Sequence, residues 1–446
     1  MSLPTARTVA ASVLVRVRKD RAFASAVLEA EVSRAAQLEP RDRALATELV
    51  YGSLRVLPWL DARILQYAPR GLGGLDPRTL AELTLSAYQL FFLERVPAFA
   101  AVNEAVEAIK QARGSKLAAF ANAVLRKLAL EAERTKGPAL LLEAVAFSSP
   151  QWLRSALVRS LGDEAAKAFS AAGIEPPPLG LRVAREEDRA EVMASLASAL
   201  PNATFEAGKV SPLAILARGG GKSEAWPGSD ATWSVQEEGS QLVALAVGAK
   251  PGDVVLDACA GRGNKSALLA RVVMPGGAVD AADLYPAKLD RLEKQLAQGG
   301  LPLRKTFAVD WSVGVGDVGS AYDRILVDAP CSGVGTLRRR PDLALRREPE
   351  DLARLASLQA AIVLRAATCL RPGGRLIYAV CSVLREEAED VVKAVLAGGA
   401  HLALVPFDGP VARALAGDET TLRLLPHIHG TDGYFLASFE RLHDGA

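Results

Sequence analysis

Two cysteines and an aspartate carry the reactive chemistry that this sequence offers. The run Asp328-Ala-Pro-Cys-Ser-Gly-Val-Gly-Thr brings Cys331, and Tyr378-Ala-Val-Cys-Ser brings Cys381. Each run ends a short apolar stretch of strand type, so both thiols are expected at the carboxyl edge of one parallel sheet, where such sheets bind their ligands. A cytosine ring is too electron-poor at carbon 5 to take up a methyl group unaided. A thiolate added at carbon 6 creates an enamine whose carbon 5 can displace the methyl of a sulfonium donor. Addition is easier when ring nitrogen 3 is protonated or hydrogen-bonded, a task suited to the carboxyl group of Asp328. A base must afterwards remove the carbon 5 proton so that the attacking sulfur can leave, and Cys331 sits where it can assist that step. A lone cysteine is more often a small buried apolar residue, which is the reading given to Cys369, expected inside a helix.

A second group of residues has the marks of a nucleoside site. The strand 254–257 runs into Asp257-Ala-Cys-Ala-Gly-Arg-Gly-Asn-Lys-Ser. A Walker A loop requires glycine before its Lys-Ser, where Asn264 stands, and a dinucleotide fingerprint requires a third glycine, where Ser266 stands. What remains is a close approach of backbone to ligand at Gly261 and Gly263 without a phosphate cradle, which suits a nucleoside lacking phosphates. Asp283, ending the second strand, is placed to accept hydrogen bonds from ribose hydroxyls, and Asp310, after the third, to meet an adenine amino group. Taken singly, either acid reads equally well as a helix or turn cap. Their recurrence at successive strand ends favours the site.

The elements that must position these residues alternate in type. Strands are expected at 254–257, 278–282, 303–309, 324–327 and 375–379, and helices at 265–273, 287–298, 350–369 and 386–396. That alternation predicts an α/β, Rossmann-like parallel sheet with helical crossovers over 230–446. Before it, 145–226 reads as a small α+β module with a strand at 179–183, a helix over 186–200 and a turn at Gly219-Gly-Gly-Lys222. The first 140 residues read as an all-α bundle, with helical apolar spacing over 8–18, 44–56, 80–93, 102–112 and 117–130. The run His427-Ile-His is read as part of a strand and turn closing the sheet rather than as a metal site.

Composition narrows the setting. The chain has 446 residues, 50% apolar and 23% charged, enough for two or three packed domains. No apolar run approaches the roughly 18 residues that cross a bilayer, and 1–10 lacks the layout of a secretory signal, so a cytoplasmic protein without membrane partners is expected. The four cysteines form no Cys-x-x-Cys pair, which argues against disulfides and a metal site. Net charge is +2, but residues 1–140 hold 20 Lys and Arg against 14 Asp and Glu, leaving 33 against 37 for the rest. That modest basic excess is compatible with contact to a polyanion.

These motifs resemble the RNA 5-methylcytosine methyltransferases. Asp328-Ala-Pro-Cys-Ser-Gly with Arg338-Arg-Arg-Pro-Asp beyond it looks like the motif of the release cysteine, and Tyr378-Ala-Val-Cys-Ser-Val followed by Glu386-Glu looks like the nucleophile motif. The resemblance implies Cys381 as nucleophile, Cys331 as the helper in release and S-adenosylmethionine as cofactor. It implies cofactor contacts at Cys259, Ala260, Gly261, Arg262, Gly263, Asn264, Lys265, Asp283, Asp310 and Asp328. One departure stands out: the family's loop reads Ala-Pro-Gly-Gly-Lys, and here it is Ala260-Gly-Arg-Gly-Asn-Lys. Val235-Gln-Glu-Glu-Gly-Ser-Gln-Leu-Val resembles the entry segment of the RsmB/Sun (Fmu) group that modifies bacterial 16S ribosomal RNA. The region 42–55, Asn103-Glu-Ala-Val-Glu and Phe120-Ala-Asn-Ala-Val-Leu-Arg-Lys resemble its NusB-like N-terminal domain.

With 16S ribosomal RNA as substrate, the target base must leave its stack for the pocket. Arg338, Arg339, Arg340, Arg346 and Arg347 are expected to hold phosphates near it, and Arg16, Arg18, Lys19, Arg126 and Lys127 to add sequence-independent affinity. Two other readings compete: the same chemistry on transfer RNA, and an RNA-binding assembly factor without catalysis. A monomer is expected.

Overall fold

The computed structural model describes residues 4–69, 71–221, 223–229, 232–399 and 401–443. Lys222, the end of the expected glycine turn, lies outside them. Contacts group the chain into two compact units. One is Met1–Arg154 with Ser170–Pro176 and Leu337–Arg346; the other is Ser155–Phe169, Pro177–Thr336 and Arg347–Ala446.

The first unit is helical because its apolar residues recur at helical spacing, and two of its helices begin at side-chain caps, Thr5 and Asp76. Pro77–Phe92 is its axis, with every residue from Thr79 to Phe91 buried. Asp76 accepts the Thr79 N–H at 3.0 Å to start it, and the buried Glu82 is matched by Arg78 at 2.7 Å. Around it pack Ala6–Asp20, Pro40–Arg55, Leu57–Leu65, Ala98–Arg113 and Ser115–Thr135. The segment Leu337–Arg346 belongs to this unit. Arg55 donates to the Arg338 carbonyl at 3.0 Å, Asp342 accepts the Ala24 N–H at 3.3 Å, and the Arg346 guanidinium lies 3.9 Å from the Phe23 ring centre.

The second unit contains two sheets. In the smaller, β1 (Leu179–Val183), β2 (Ala203–Ala207), β3 (Ala214–Gly219) and β4 (Trp233–Val235) run in the order β2-β3-β1-β4, all antiparallel. The larger is built from β5 (Val254–Asp257), β6 (Ala278–Asp283), β7 (Leu303–Ala308), β8 (Tyr322–Asp328), β9 (Leu370–Val380), β10 (Leu402–Leu404), β11 (Thr421–Leu424) and β12 (Tyr434–Arg441). Its order is β10-β12-β9-β8-β5-β6-β7, with β11 paired to β12. The strands β5 to β9 are mutually parallel, and β12 returns antiparallel along β9. Helices cover both faces of the parallel part, which is why β5 and β8 are apolar on both sides: Val255, Leu256, Ile325, Leu326 and Val327 are all fully buried.

This is the expected Rossmann-like α/β domain, following a helical region in sequence. Two expectations are corrected. Cys369 is buried but lies beyond the helix Pro349–Ala367, whose C-cap is Thr368. The helix after Cys381 begins at Glu389 rather than at 386, because Arg385–Glu387 forms a 3-10 turn that carries Glu387 inward.

Candidate active site

Register assembles the site. Asp257 of β5 pairs with Leu326 of β8, and Asp328 of β8 pairs with Ala379 of β9, so the motifs that follow leave one edge of the sheet side by side. Beyond β8 the chain turns back toward β9: the Gly335 N–H donates to the Cys381 carbonyl at 3.0 Å, and the Gly433 N–H to the Gly335 carbonyl at 2.8 Å. A Cβ at Gly335 would stand 1.9 Å from the Gly433 oxygen, so no side chain fits there. The result is a distance of 3.3 Å between the Sγ atoms of Cys331 and Cys381, both half-buried.

Charge around this pair is arranged as well. Lys265 Nζ meets Asp328 Oδ2 at 2.6 Å. Burial alone would lower the Lys265 pKa, yet the charge and hydrogen bond of Asp328 outweigh it and the ammonium is held charged. The Cys331 thiol is pushed well above its ordinary range, first by its hydrogen bond with Cys381, then by burial and by the negative charges of Glu387 and Asp328. Tyr434 borders the same place at the start of β12; its hydroxyl donates to Glu237 Oε2 at 3.1 Å, and burial with the charge of Glu237 keeps it neutral.

The glycine turn after β5 lies beside this centre. Gly261 and Gly263 have φ of 58° and 86°, the left-handed region that glycine enters freely. The Gly261 N–H donates to Asp283 Oδ2 at 3.0 Å, and Lys288 approaches the other oxygen at 3.1 Å. A Cβ at Gly261 would meet nothing nearer than 3.9 Å, so this backbone faces open space flanked by carboxylates at three strand ends. Asp310, exposed, accepts the Ser312 N–H at 2.9 Å. Cys259 is kept protonated by burial and by Asp257, Asp328 and Asp283. Of the two residues that depart from the family loop, Arg262 is exposed, and Asn264 offers its carbonyl to the buried Arg182 at 2.8 Å. Open glycine backbone, acceptor carboxylates and no phosphate cradle fit the nucleoside and amino-acid moieties of S-adenosylmethionine.

Several roles differ from the sequence expectation. Arg347 donates to the carbonyls of Ser332 at 3.0 Å and Cys331 at 3.1 Å, so it holds the reactive turn rather than standing ready for a phosphate. Arg338 is buried and Arg346 lies over Phe23; of Arg338, Arg339 and Arg340, only Arg340 is exposed. Arg18 is paired with Asp61 at 2.5 Å. Glu387, Gln359 and Tyr434 also belong to the site, and the sequence does not mark them as functional. The only signal for Glu387 was its place in Glu386-Glu, and nothing in one sequence marks a glutamate as buried.

The fold and this site define a class, the S-adenosylmethionine-dependent methyltransferases. The family model described as 16S rRNA methyltransferase RsmB/F matches residues 244–440, and that of the NusB family matches residues 4–130. The chain is 32% identical over 452 residues to the probable ribosomal RNA small subunit methyltransferase B of Bacillus subtilis, covering 99% of this chain and 100% of that one. It is 32% identical to the ribosomal RNA small subunit methyltransferase B of Pseudomonas syringae, covering 98% and 97%. The crystal structure of PH0851 shares the fold, with a TM-score of 0.81 at 23% identity over 99% of both chains. The chain belongs to the RsmB/F methyltransferase family and carries a NusB-type N-terminal region. Among the described residues, no helix is long and apolar enough to cross a membrane, and no cluster of metal-ligating side chains occurs.

Proposed function

We propose that this protein methylates carbon 5 of a cytosine in 16S ribosomal RNA through a covalent adduct, with Cys381 as nucleophile and Cys331 serving release. The observation that carries this reading is the 3.3 Å separation of the two sulfurs at the ends of adjacent parallel strands, beside the Lys265–Asp328 pair. A single buried thiol has many structural explanations; two facing thiols beside a charged pair call for chemistry that uses both.

The turn from Cys259 to Lys265, with Asp283, Asp310 and Asp328, would hold S-adenosylmethionine. When bound, it supplies a methyl group on a positively charged sulfur, the electrophile that carbon 5 of the base takes up. The Cys381 thiolate forms the sulfur–carbon 6 bond, and the displaced π electrons pass to carbon 5. Asp328, steadied by Lys265, meets the pyrimidine edge where charge develops at nitrogen 3. Release requires the carbon 5 proton to pass to the Cys331 thiolate; the carbon 5–carbon 6 double bond re-forms, and Cys381 leaves with its electron pair. Once Cys381 is bonded to the base, the hydrogen bond and the charge by which it raises the Cys331 pKa are both removed. Adduct formation thus makes Cys331 easier to ionise at the step that needs a base.

The names of the relatives support ribosomal RNA as substrate over transfer RNA, and the helical region 1–140 is proposed to bind it. The module 145–226 links that region to the catalytic domain 230–446. Bisulfite sequencing of 16S ribosomal RNA from a deletion strain tests the reading. One cytosine should lose protection, the wild-type gene should restore it, and Cys381→Ala should not. An unchanged map, with no cytosine losing its methyl group, overturns it.

A further inference from the structure

One buried carboxylate next to the reaction centre has no role in the chemistry just described. Glu387 is fully buried, on the turn that follows Cys381. Its Oε1 accepts the Ser332 N–H at 2.7 Å and the Gln359 amide at 3.0 Å, and its Oε2 accepts the Ser332 hydroxyl. Gln359 Nε2 also donates to the Pro330 carbonyl at 2.9 Å. The Tyr378 hydroxyl secures the network, donating to the Glu387 carbonyl at 2.6 Å. From the remaining side Arg347 holds the carbonyls of Cys331 and Ser332. The backbone on both sides of Cys331 is therefore tied to side chains rather than left to a free turn.

Such a network is costly to leave half-made, since each buried donor and acceptor must find a partner. Packing β8 against β9 does not require it. Only a turn whose sulfur must stay in one place does so: the carbon 5 proton and the carbon 6 bond lie on neighbouring ring atoms, so the releasing sulfur must keep its spacing from Cys381. We infer that Glu387 is a positioning residue for product release, fixing through Ser332 and Gln359 the turn that presents the Cys331 sulfur. This rests on the two-cysteine reading above. Glu387 is fully buried and presents no surface to a base or cofactor; it acts through the turn. The Glu387→Gln variant can keep the arrangement, because its oxygen can still accept from Ser332 N and Gln359 while its amide donates to the Ser332 oxygen. Glu387→Ala cannot.

The experiment uses the full-length protein with in vitro transcribed 16S ribosomal RNA. Covalent RNA–protein adduct is followed on denaturing gels, methyl transfer in a single turnover with labelled S-adenosylmethionine, and cofactor affinity by calorimetry. With Glu387→Ala, cofactor affinity and the first methyl transfer should stay close to wild type, while release slows by on the order of tenfold to a hundredfold and adduct accumulates. Glu387→Gln should restore most of the release rate. If Glu387→Ala does not fold, Gln359→Leu, which removes the tie to Pro330 while leaving Glu387 on Ser332, should show the same accumulation to a smaller degree. Equal loss of transfer and release in these variants, or wild-type release in Glu387→Ala, overturns the inference. Cys331→Ala in parallel separates the two claims. If it traps no adduct, the two-cysteine reading fails; if it traps adduct while Glu387→Ala releases normally, only the role of Glu387 fails.

Discussion

The Sγ of Cys331 lies 3.3 Å from the Sγ of Cys381, although 50 residues separate them in sequence, and the Cys381 sulfur raises the proton affinity of Cys331. The strongest cause raising the Cys331 pKa is its hydrogen bond with Cys381. Removing Cys381 should therefore lower the Cys331 pKa and raise its thiolate fraction at a given pH. In Cys381→Ala, Cys331 should react with iodoacetamide several-fold faster at pH 8 than it does in the wild type, as read by mass spectrometry of the alkylated peptide. Burial and the charges of Glu387 and Asp328 remain, so the rate should still rise as pH increases beyond 8. A Cys331 rate unchanged by the substitution would mean that the sulfurs do not share a proton.

Lys265 and Asp328 provide a second test, on stability. Their side chains are 15% and 25% exposed, so breaking the pair leaves one charge in a poorly solvated place. Lys265→Met should cost about 2 to 4 kcal/mol and abolish measurable methyl transfer. The double variant Lys265→Met with Asp328→Asn should recover about 1 to 3 kcal/mol relative to the sum of the single losses. Urea denaturation of the four proteins closes the cycle. Additive losses would show that the two groups are not coupled.

How much of this was legible in the sequence depended on whether a residue's meaning is local. Asp328, Cys331 and Cys381 each end an apolar strand in an alternating pattern, and in a parallel sheet strand ends share one edge, so their proximity followed from pattern alone. The turn at Gly261 and Gly263 was legible for the same reason. The strands β10 and β11 were not, because runs of three and four residues carry too few positions to show a period. Nor could one sequence distinguish Arg347, folded back on the Cys331 turn, from an arginine extended toward a phosphate. Glu387 and Arg338 look like solvated charges until their burial is known, since charged side chains are rarely buried without partners supplied by distant parts of the chain.

Gly335 makes a steric prediction. A Cβ there would meet the Gly433 carbonyl oxygen at 1.9 Å and the Cys381 carbonyl oxygen at 2.9 Å, and both are backbone atoms with no side-chain freedom to move aside. Gly335 also sits in the hydrogen-bonded path between these segments, donating its N–H to the Cys381 carbonyl and accepting the Gly433 N–H at its own carbonyl. Gly335→Ala should lower the melting temperature and abolish methyl transfer, because whatever relieves the clash must move the segment carrying Cys381. Gly314→Ala, where a Cβ has open space, is the matched control and should behave as wild type. Equal thermal stability of the two variants would refute the close packing of these turns.

Asp257 joins the cofactor turn to the pH dependence of stability. It is fully buried; burial pushes its carboxyl up from 3.8 to about 6, only partly opposed by the Ser266 hydroxyl and the charge of Lys265. Ser266 donates to Oδ2 at 2.7 Å, while Oδ1 has no hydrogen-bond partner. A carboxyl whose folded pKa lies above its unfolded one binds its proton more tightly when folded. Its favourable contribution is therefore complete below about pH 4, declines as the pH rises through 6, and is gone above that. The displacement corresponds to about 3 kcal/mol that the ionised wild type forgoes at neutral pH. Asp257→Asn keeps an acceptor for Ser266 and never ionises. Relative to wild type it should gain up to about 3 kcal/mol at pH 7.5, and the gain should shrink steadily between pH 6 and pH 4. Thermal melts across that range check it. A difference that stays constant with pH would show that Asp257 does not titrate in the folded protein as its burial requires, and that the orphaned oxygen is satisfied by a partner of its own.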